Sequence, residues 1–422
     1  RNSSSSSSSS TDRSADRRER EKERERAAPG CQDKAIQMRP NQERLLWAAL
    51  FVASGFITMR ATTKCFMGET AVLQTSQDNK EARLPTKPPK PFNATSEKRL
   101  NQTIANANIT SARGKYYYDT DLTSFPSVTV KAWEHWQADF PCFENDGATP
   151  ESLIAEHPPL EEGFFFNKPV KTASSTAASI QFRITRNQAK KQRLKSQFCK
   201  MEWWHFFGHK AFPRRNRTKS FLWSIVRDPT SRIISLFFFL NVSRYKQEPL
   251  DKTFIARLRA YDESNEWQDH YLHRLSKTKY LDMDPIQTIN AIMQEYDFIA
   301  VTERLDESVV AMAMLLNLPL SDMLYLSAKR KGGFDDGAWA KCIYIVPSFV
   351  SPGMKAFFQT REFQDLVRWD YIFHQAANKS LDLTIEKLGR TRFQEQLTKY
   401  KEAQKAVQEH CFSRIRLPCS AD

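Results

Sequence analysis

Residues 163–180 constrain the fold of this 422-residue chain most, because they predict a strand, a polar loop and a helix in direct succession. Three phenylalanines at 164–166 form a short apolar run of the kind that a buried parallel strand shows, and Pro169 prevents the strand from continuing. Ile180 and Ile184 lie four residues apart, on one face of the helix that follows.

The predicted loop and first helical turn combine one cation with four hydroxyl groups: Lys171, Thr172, Ser174, Ser175 and Thr176. The first N–H groups of a helix point outward with partial positive charge, so an anion is favoured there. The lysine adds a full charge, and the hydroxyls can donate to a tetrahedral group such as phosphate. Serine and threonine are also the preferred N-cap residues, so an ordinary capped helix beside a surface lysine is the alternative.

This stretch differs from the nucleotide-binding loop of kinases and ATPases, which needs Gly-x-x-x-x-Gly-Lys followed by Ser or Thr. No glycine lies between Lys168 and Ser179. Another class of phosphate-binding loop is therefore indicated.

Three further apolar runs predict strands at residues 201–207, 220–226 and 298–301, and amphipathic patterns between them predict helices. Asp228 with Pro229, and later Asp306, predict helix starts. The alternation indicates an α/β fold, a parallel central sheet flanked by helices, with a largely helical C-terminal region. Four polar residues follow predicted strand ends, where α/β sheets bind ligands: Lys171, His209, Arg227 and Glu303.

Residues 227–235 read Arg-Asp-Pro-Thr-Ser-Arg-Ile-Ile-Ser and form a second candidate phosphate site. They resemble, at every fixed position, the Arg-Asp-Pro-x-x-Arg-x-x-Ser signature of sulfotransferases that use 3′-phosphoadenylyl sulfate (PAPS). Residues 171–176 resemble the 5′-phosphosulfate loop of those enzymes, whose usual core is Pro-Lys-Thr-Gly-Ser. Here Val170 separates Pro169 from the lysine, and Ala173 replaces the glycine.

The resemblance spans about residues 160–390 and is closest to the galactose 3-O-sulfotransferases of the Golgi, followed by the uronyl and heparan 2-O-sulfotransferases. Residues 296–308 also resemble a segment of these carbohydrate sulfotransferases. Residues 329–333 are similar to the Arg-Lys-Gly loop that binds the 3′-phosphate in cytosolic members. A flexible basic turn is the alternative there.

The resemblance implies a P-loop-like sulfotransferase fold that transfers a sulfuryl group from PAPS, without a metal, to a glycan hydroxyl. The acceptor is expected to be of galactose or uronic acid type, with galactose favoured, on a glycoprotein, glycolipid or polysaccharide. Lys171 is implied to be catalytic as well as PAPS-binding, because it neutralises charge on the leaving oxygen. The other implied PAPS-binding residues are Thr172, Ala173, Ser174, Ser175 and Thr176 for the 5′-phosphosulfate, and Arg227 and Ser235 for the 3′-phosphate.

An acceptor hydroxyl needs a group that takes its proton, and histidine suits that transfer near neutral pH. His209 follows Gly208 at a predicted strand end, a position similar to that of the histidine base in related carbohydrate sulfotransferases, and is the predicted base. His205 lies on the same side, four residues earlier. Glu202 and Glu303 are the carboxylate alternatives, and a structural role among neighbouring tryptophans is the simpler interpretation of both histidines.

Residues 45–59 are apolar and uncharged, but these 15 residues fall short of the roughly 20 that usually span a bilayer. Extension to residue 62 past a snorkelling Arg60 predicts a type II signal anchor, with a core helix or a cleavable signal peptide as alternatives. The expected organisation is a disordered cytoplasmic tail (1–44), the anchor (45–62), a glycosylated stem (63–114) and a lumenal sulfotransferase domain (115–422). The expected location is the Golgi membrane.

Six glycosylation sequons agree with a lumenal location: Asn93, Asn101, Asn108, Asn216, Asn241 and Asn378. The net charge of +14 raises the possibility of nucleic-acid binding, but the apolar segment and the sequons oppose it. Six of the seven cysteines follow the anchor and allow several disulfide pairings, of which Cys411 with Cys419 is the preferred local one.

A non-catalytic relative, which binds glycan or nucleotide and keeps the fold for interaction alone, is the alternative function. The second signature discriminates between the alternatives. Residues 227–235 match the PAPS signature at every fixed position, and this favours an enzyme.

Overall fold

The computed structural model describes residues 122–145, 161–205, 207–208, 214–260, 267–277, 284–326, 334–335 and 343–411. The predicted tail, anchor and stem, the three stem sequons and the basic segment 329–333 lie outside these residues. Within them, no helix has both the length and the apolar character that crossing a bilayer requires.

Four parallel strands form the central sheet, in the order β2-β1-β3-β4. They are β1 (Gly163–Asn167), β2 (Met201–Trp204), β3 (Ser220–Val226) and β4 (Phe298–Val301). β1 pairs on both sides, so that Phe165 lies opposite Glu202 on β2 and Leu222 on β3. All four predicted strands and the parallel α/β architecture are confirmed.

The strand β2 ends three residues before the end of its predicted run, 201–207. Its last pair joins Trp204 to Asn167, which is also the last residue of β1. Because β2 lies at the edge of the sheet and pairs with β1, it loses its partner where β1 ends. Beyond that point the strand pairing is replaced by a side-chain contact with the segment that follows β1. The Nδ1 of His205 donates to the Lys168 carbonyl at 2.5 Å.

Helices pack around the sheet, and the last two confirm the predicted helical C-terminal region. They are α1 (Ser174–Lys191), α2 (Pro229–Phe237), α3 (Asp251–Arg259), α4 (His270–Leu275), α5 (Pro285–Glu295), α6 (Leu305–Leu315), α7 (Pro352–Phe358), α8 (Arg361–Leu388) and α9 (Arg390–Cys411). Among the described residues, short 3₁₀ turns occupy Leu122–Ser124, Thr302–Arg304 and Leu320–Met323, and a small antiparallel pair joins β5 (Phe334–Asp335) to β6 (Ile343–Tyr344).

One of the two predicted helix caps is confirmed. Asp228 accepts a hydrogen bond from the Ser231 N–H at 2.7 Å, and Pro229 is the first residue of α2. The prediction that Asp306 caps the following helix is wrong, because a 3₁₀ turn leads directly into α6 at Leu305. Asp306 lies in the first turn of α6, where a negative charge still interacts favourably with the helix dipole.

Aromatic side chains form much of the core beside the sheet. The phenylalanines at 164–166 are completely buried, and Phe166 stacks on Trp223 of β3 with ring centroids 4.3 Å apart. Burying one such side chain contributes about 1.5–3 kcal/mol. Trp133 packs onto this core: its side chain is 1% exposed and meets Phe298 edge-on.

A second apolar cluster surrounds α2, whose Ile233 and Phe237 are completely buried. The chain then widens into a π-helix, Phe238–Arg244. Phe239 and Leu240, within the π-helix, are half-buried. π-Helical segments within or beside α-helices often lie at functional sites.

Cys142 and Cys199 form a disulfide that attaches the chain before the sheet to the residues leading into β2. Cys411 is also disulfide-bonded, with a partner outside the described residues. The pairing of Cys411 with Cys419 therefore stays a prediction. Structural disulfides persist in oxidising compartments such as the secretory pathway.

The three sequons within the described residues differ in exposure. Asn216 is exposed in the turn before β3. Asn241 is 2% exposed in the π-helix and donates to the Gln247 side chain at 2.7 Å. Asn378 is half-buried in α8 and donates to the His374 carbonyl at 3.2 Å.

We expect Asn216 to be glycosylated and Asn241 to remain unmodified when the chain is exported behind a cleavable signal peptide. The reason is steric, because a glycan on Asn241 is incompatible with its buried position in the π-helix. Peptide mass spectrometry after glycosidase release would give the occupancy of each site. Asn216→Gln should remove one glycan and Asn241→Gln none, and an occupied Asn241 in folded protein would contradict the expectation.

Candidate functional site

The β1–α1 loop (residues 168–173) alternates the sign of the backbone angle φ. Lys171 and Ala173 have φ of 64° and 58°, whereas Thr172 between them has no positive φ. Alternation between right-handed and left-handed residues is the backbone pattern found in anion-binding nests. The left-handed conformation costs a non-glycine residue roughly 1–2 kcal/mol, so the surrounding structure must hold both residues in place.

The N-cap position of α1 is Ala173, which has no side-chain acceptor. The nearby Thr172 hydroxyl donates to the Pro169 carbonyl at 3.0 Å and so braces the loop. The helix α1 therefore has no side-chain cap, in contrast to the alternative of an ordinary capped helix. The N–H groups of its first turn are suited to an anion. Six residues of this segment are predicted to bind the phosphosulfate group. Thr172, Ser174 and Thr176 are buried, whereas Lys171, Ala173 and Ser175 are half-buried.

Arg227, at the end of β3, connects the two predicted phosphate sites. Its Nη1 donates to the Lys171 carbonyl at 3.1 Å. Thr302, just after β4, donates through Oγ1 to the Thr172 carbonyl at 2.9 Å. Burial lowers the pKa of the Arg227 guanidinium, which nevertheless stays charged near neutral pH. The residues that follow the C-terminal ends of β1, β3 and β4 thus lie together at one end of the parallel sheet, as predicted.

The ammonium of Lys171 lies 3.9 Å from the centroid of the Phe239 ring, in the π-helix. A cation over an aromatic face contributes about 0.5–2 kcal/mol, more when water is excluded. The ring therefore holds the lysine charge beside the β1–α1 loop.

Glu303 attaches the second signature (residues 227–235) to β4 and α8. Its Oε1 accepts a hydrogen bond from the Asp228 N–H at 3.0 Å, and its Oε2 lies 3.2 Å from His374 Nε2. Tyr371, also on α8, donates to Asp228 Oδ2 at 2.9 Å. Ser235, the last residue of the signature, is half-buried in α2.

The Glu303 carboxylate is ionised at neutral pH. Burial raises its pKa, but the hydrogen bonds from His374 and from the Asp228 amide outweigh that effect and hold the pKa below its usual value. The side chain is 40% exposed. A carboxylate in this position can accept a proton or orient the neighbouring Arg227.

The predicted bases follow the strand ends or lie near them. His209 lies outside the described residues, and Gly208 before it is tightly enclosed, since a Cβ there would lie 2.6 Å from a backbone carbonyl oxygen. His205 has its Nδ1 proton fixed by the Lys168 carbonyl, because a carbonyl can only accept. Glu202 is half-buried inside β2, two residues before the strand ends.

Five side chains that support the site were not predicted. They are single polar residues within helical segments, and their partners lie far away in sequence, so no local motif identifies them. The available signal is a polar residue on the apolar face of a helix, such as Asp370 among the buried residues of α8. The five residues are His270, Tyr271, Asp370, Tyr371 and His374.

Comparison with known proteins assigns the chain to no family. No protein-family model matches it, and no curated protein sequence matches it significantly. Across the described ranges, no three His, Cys, Asp or Glu side chains form a group that could hold a metal ion. The function is therefore inferred from the residues and contacts described above.

We expect Glu303→Gln to lower the free energy of unfolding at pH 7 by up to about 1 kcal/mol, because it removes a partly exposed charge while keeping the shape. Since the folded-state pKa of Glu303 is depressed, its contribution is present above the unfolded pKa of about 4.3 and is lost as pH falls through the folded-state value. Urea unfolding at a series of pH values measures this loss.

The control for this prediction is the same substitution in a His374→Ala background, where it should cost less. A stability difference between wild type and Glu303→Gln that widens on acidification would contradict the assignment. The charge of Glu303 would then not be the stabilising feature.

Proposed function

We propose that the protein transfers a sulfuryl group from PAPS to a hydroxyl of a glycan, with galactose favoured over uronic acid as the accepting sugar. The observation that carries the proposal is the 3.1 Å hydrogen bond from Arg227 Nη1 to the Lys171 carbonyl. It joins two loops that each resemble one half of a PAPS site, although Lys171 and Arg227 lie 56 residues apart in sequence. Each loop follows a parallel strand, where α/β sheets bind ligands.

The β1–α1 loop is suited to the 5′-phosphosulfate of PAPS. Lys171 supplies a positive charge, the alternating backbone supplies converging N–H groups, and Ser174 begins α1 with a hydroxyl. Ala173, which replaces the usual glycine, has the left-handed conformation that glycine readily adopts. Alanine at this position is therefore compatible with a backbone conformation that glycine favours.

The second signature is suited to the 3′-phosphate. Arg227 has a forked guanidinium with five N–H donors, one of which binds the β1–α1 loop. Ser235 supplies a hydroxyl from α2, the helix that begins directly after this strand end. Charge-assisted bonds from a guanidinium to phosphate are stronger than neutral ones and have a fixed geometry.

The proposed reaction is an in-line displacement at sulfur. The acceptor oxygen forms a bond to sulfur while the bond from sulfur to the 5′-phosphate oxygen breaks, and the acceptor proton passes to a base. Adenosine 3′,5′-bisphosphate leaves with the bonding electrons. Lys171 and the loop amides neutralise the charge that develops on the leaving oxygen, as in phosphoryl transfer.

His209 remains the proposed base. His205 is less suited, because its Nε2 is buried from solvent and its Nδ1 proton is bound to a carbonyl. Glu303 is the carboxylate alternative, since it is ionised, 40% exposed and close to Arg227. A base must come within about 3 Å of the proton it takes, directly or through one water.

The proposed location is the Golgi membrane, with residues 45–62 as the anchor of a single-pass type II protein and the catalytic domain in the lumen. The Cys142–Cys199 disulfide and the exposed sequon at Asn216 support a secretory compartment. The finer fold assignment, a P-loop-like sulfotransferase fold, is supported by β1, the β1–α1 loop and α1.

We expect substitutions in the two loops to separate binding from turnover. Arg227→Ala should weaken binding of adenosine 3′,5′-bisphosphate by about tenfold or more, since a hydrogen bond to a charged group contributes about 1.5–3 kcal/mol. Lys171→Ala should reduce turnover more than binding, because its charge matters most as the leaving oxygen becomes negative. Calorimetry and assays with labelled PAPS and a panel of desulfated glycans measure the two effects.

Arg193→Ala, an exposed arginine just after α1, is the matched control and should change neither quantity. Unchanged nucleotide affinity in Arg227→Ala would remove the assignment of the 3′-phosphate site. Binding of PAPS with no turnover on any glycan would instead support the non-catalytic relative.

We expect His209→Ala to reduce turnover by at least about 100-fold while adenosine 3′,5′-bisphosphate still binds, because loss of a general base slows proton transfer and leaves the nucleotide site intact. His205→Ala, Glu202→Gln and Glu303→Gln should be measured beside it. Normal turnover in His209→Ala together with loss in Glu303→Gln would move the assignment to the carboxylate.

A further inference from the structure

The first two residues of α4 each bind the backbone of a different phosphate-binding loop. His270 accepts a hydrogen bond from the Val170 N–H on its Nε2 at 3.2 Å. Tyr271 donates from its hydroxyl to the Arg227 carbonyl at 2.6 Å, and the same oxygen accepts from the Arg227 N–H at 2.8 Å. Both side chains are completely buried. Two adjacent residues thus contact both halves of the proposed nucleotide site.

Asp370 of α8 binds the backbone N–H groups of these two residues. Its Oδ2 accepts the His270 N–H at 3.1 Å, and its Oδ1 accepts the Tyr271 N–H at 2.9 Å. The N-cap residue of α4, Asp269, makes no side-chain cap bond, so Asp370 caps this helix from a distant part of the chain. Asp370 also lies 3.9 Å from Arg232 Nη2 of the second signature.

The buried carboxylate is supported from several sides. Burial raises the pKa of the Asp370 carboxyl, and Arg232 with the two amides offsets part of that shift. A buried charge is tolerated when it is paired and hydrogen-bonded. Asp370 is therefore placed to fix where α4 begins, and with it the positions of the His270 ring and the Tyr271 hydroxyl.

We propose that Asp370, His270 and Tyr271 form a two-loop clamp that sets the position of the β1–α1 loop relative to the second signature. These are positioning residues, because they act on the backbone beside Lys171 and Arg227 and not on the ligand itself. The inference rests on the proposed function, in which one nucleotide binds both loops. It adds a reason why the loops are held at a fixed separation before the ligand binds.

The geometry indicates why this clamp matters to binding. Val170 directly precedes Lys171, whose left-handed backbone needs support from its surroundings. The Tyr271 hydroxyl contacts both the N–H and the carbonyl of Arg227, and so fixes the backbone from which that guanidinium extends. A ligand with two anionic ends binds best when both receptor sites are already at the right distance, since ordering them on binding costs affinity.

The test compares three variants of the full-length chain. Tyr271→Phe keeps the ring but removes the hydroxyl, and His270→Leu removes the acceptor for Val170. Each should weaken binding of adenosine 3′,5′-bisphosphate by about tenfold or more, because Tyr271→Phe removes two buried hydrogen bonds to the Arg227 backbone and His270→Leu removes one to Val170. His270→Gln, whose side-chain oxygen can accept from Val170, should restore the affinity to within about threefold of wild type.

Amide hydrogen exchange without ligand supplies an independent measurement. Tyr271→Phe should speed exchange about tenfold in peptides covering 226–228 and leave 168–173 unchanged, whereas His270→Leu should do the reverse. A general loss of stability would speed both segments in both variants and would overturn the clamp. So would nucleotide affinity that is unchanged in both variants, or that falls equally in His270→Gln and His270→Leu.

The two proposals fail in different ways. If the wild-type chain does not bind adenosine 3′,5′-bisphosphate, the proposed function is wrong. The amide exchange rates of the variants then test the clamp without the nucleotide. Faster exchange confined to the segment that each variant is expected to affect supports the clamp as a structural device, whereas faster exchange in both segments rules it out.

Discussion

Parallel pairing between β1 and β3 is the constraint on which the candidate site depends. Their register places Asn167 opposite Ser224, and the Ser224 hydroxyl donates to the Asn167 carbonyl at 2.9 Å. The two strands therefore end close together at the same end of the sheet. β1 leads into the β1–α1 loop, and β3 leads to Arg227. A shift in register would separate the guanidinium from the Lys171 carbonyl and divide the site into two unrelated helix starts.

Charge at this edge of the sheet is arranged as neighbouring groups of opposite sign. Lys171 and Arg227 supply the cations, and Glu303 supplies a carboxylate whose pKa is lowered by its hydrogen bonds from His374 and the Asp228 amide. Deeper in the protein Asp370 and Arg232 form a buried pair. An unpaired charge in the deeper position would be costly, whereas the partly exposed edge can keep charge for an anionic ligand.

The sheet and the strand–loop–helix segments that carry the two predicted phosphate sites could be predicted because they depend on local patterns. Apolar runs such as residues 164–166 and 220–226 are strands whatever their partners, and Asp228 with Pro229 starts a helix by short-range chemistry. The early end of β2 depends on where its neighbour stops, and this is not a local property. The π-helix at Phe238–Arg244 has no local signal of this kind either.

Long-range polar contacts account for the rest. His270 lies 100 residues from Val170, and Tyr371 lies 143 residues from Asp228, so no motif includes both partners. The cysteines show the same limit, since Cys142 and Cys199 pair across 57 residues of chain. Sequence patterns identify groups that could bind a ligand, while the contacts that hold those groups become visible only in the folded chain.

The helix α8 has a consequence for how the domain can be divided. Asp370, Tyr371 and His374 lie within about one turn of one another on α8, and they reach α4, Asp228 and Glu303 respectively. A fragment that ends before Arg361 contains both signatures and all four strands of the central sheet, yet it lacks the side chains that fix their positions. A motif match can therefore be complete in a piece of chain that lacks the side chains bracing the candidate site, and a fragment that keeps those contacts must include α8 at least as far as His374.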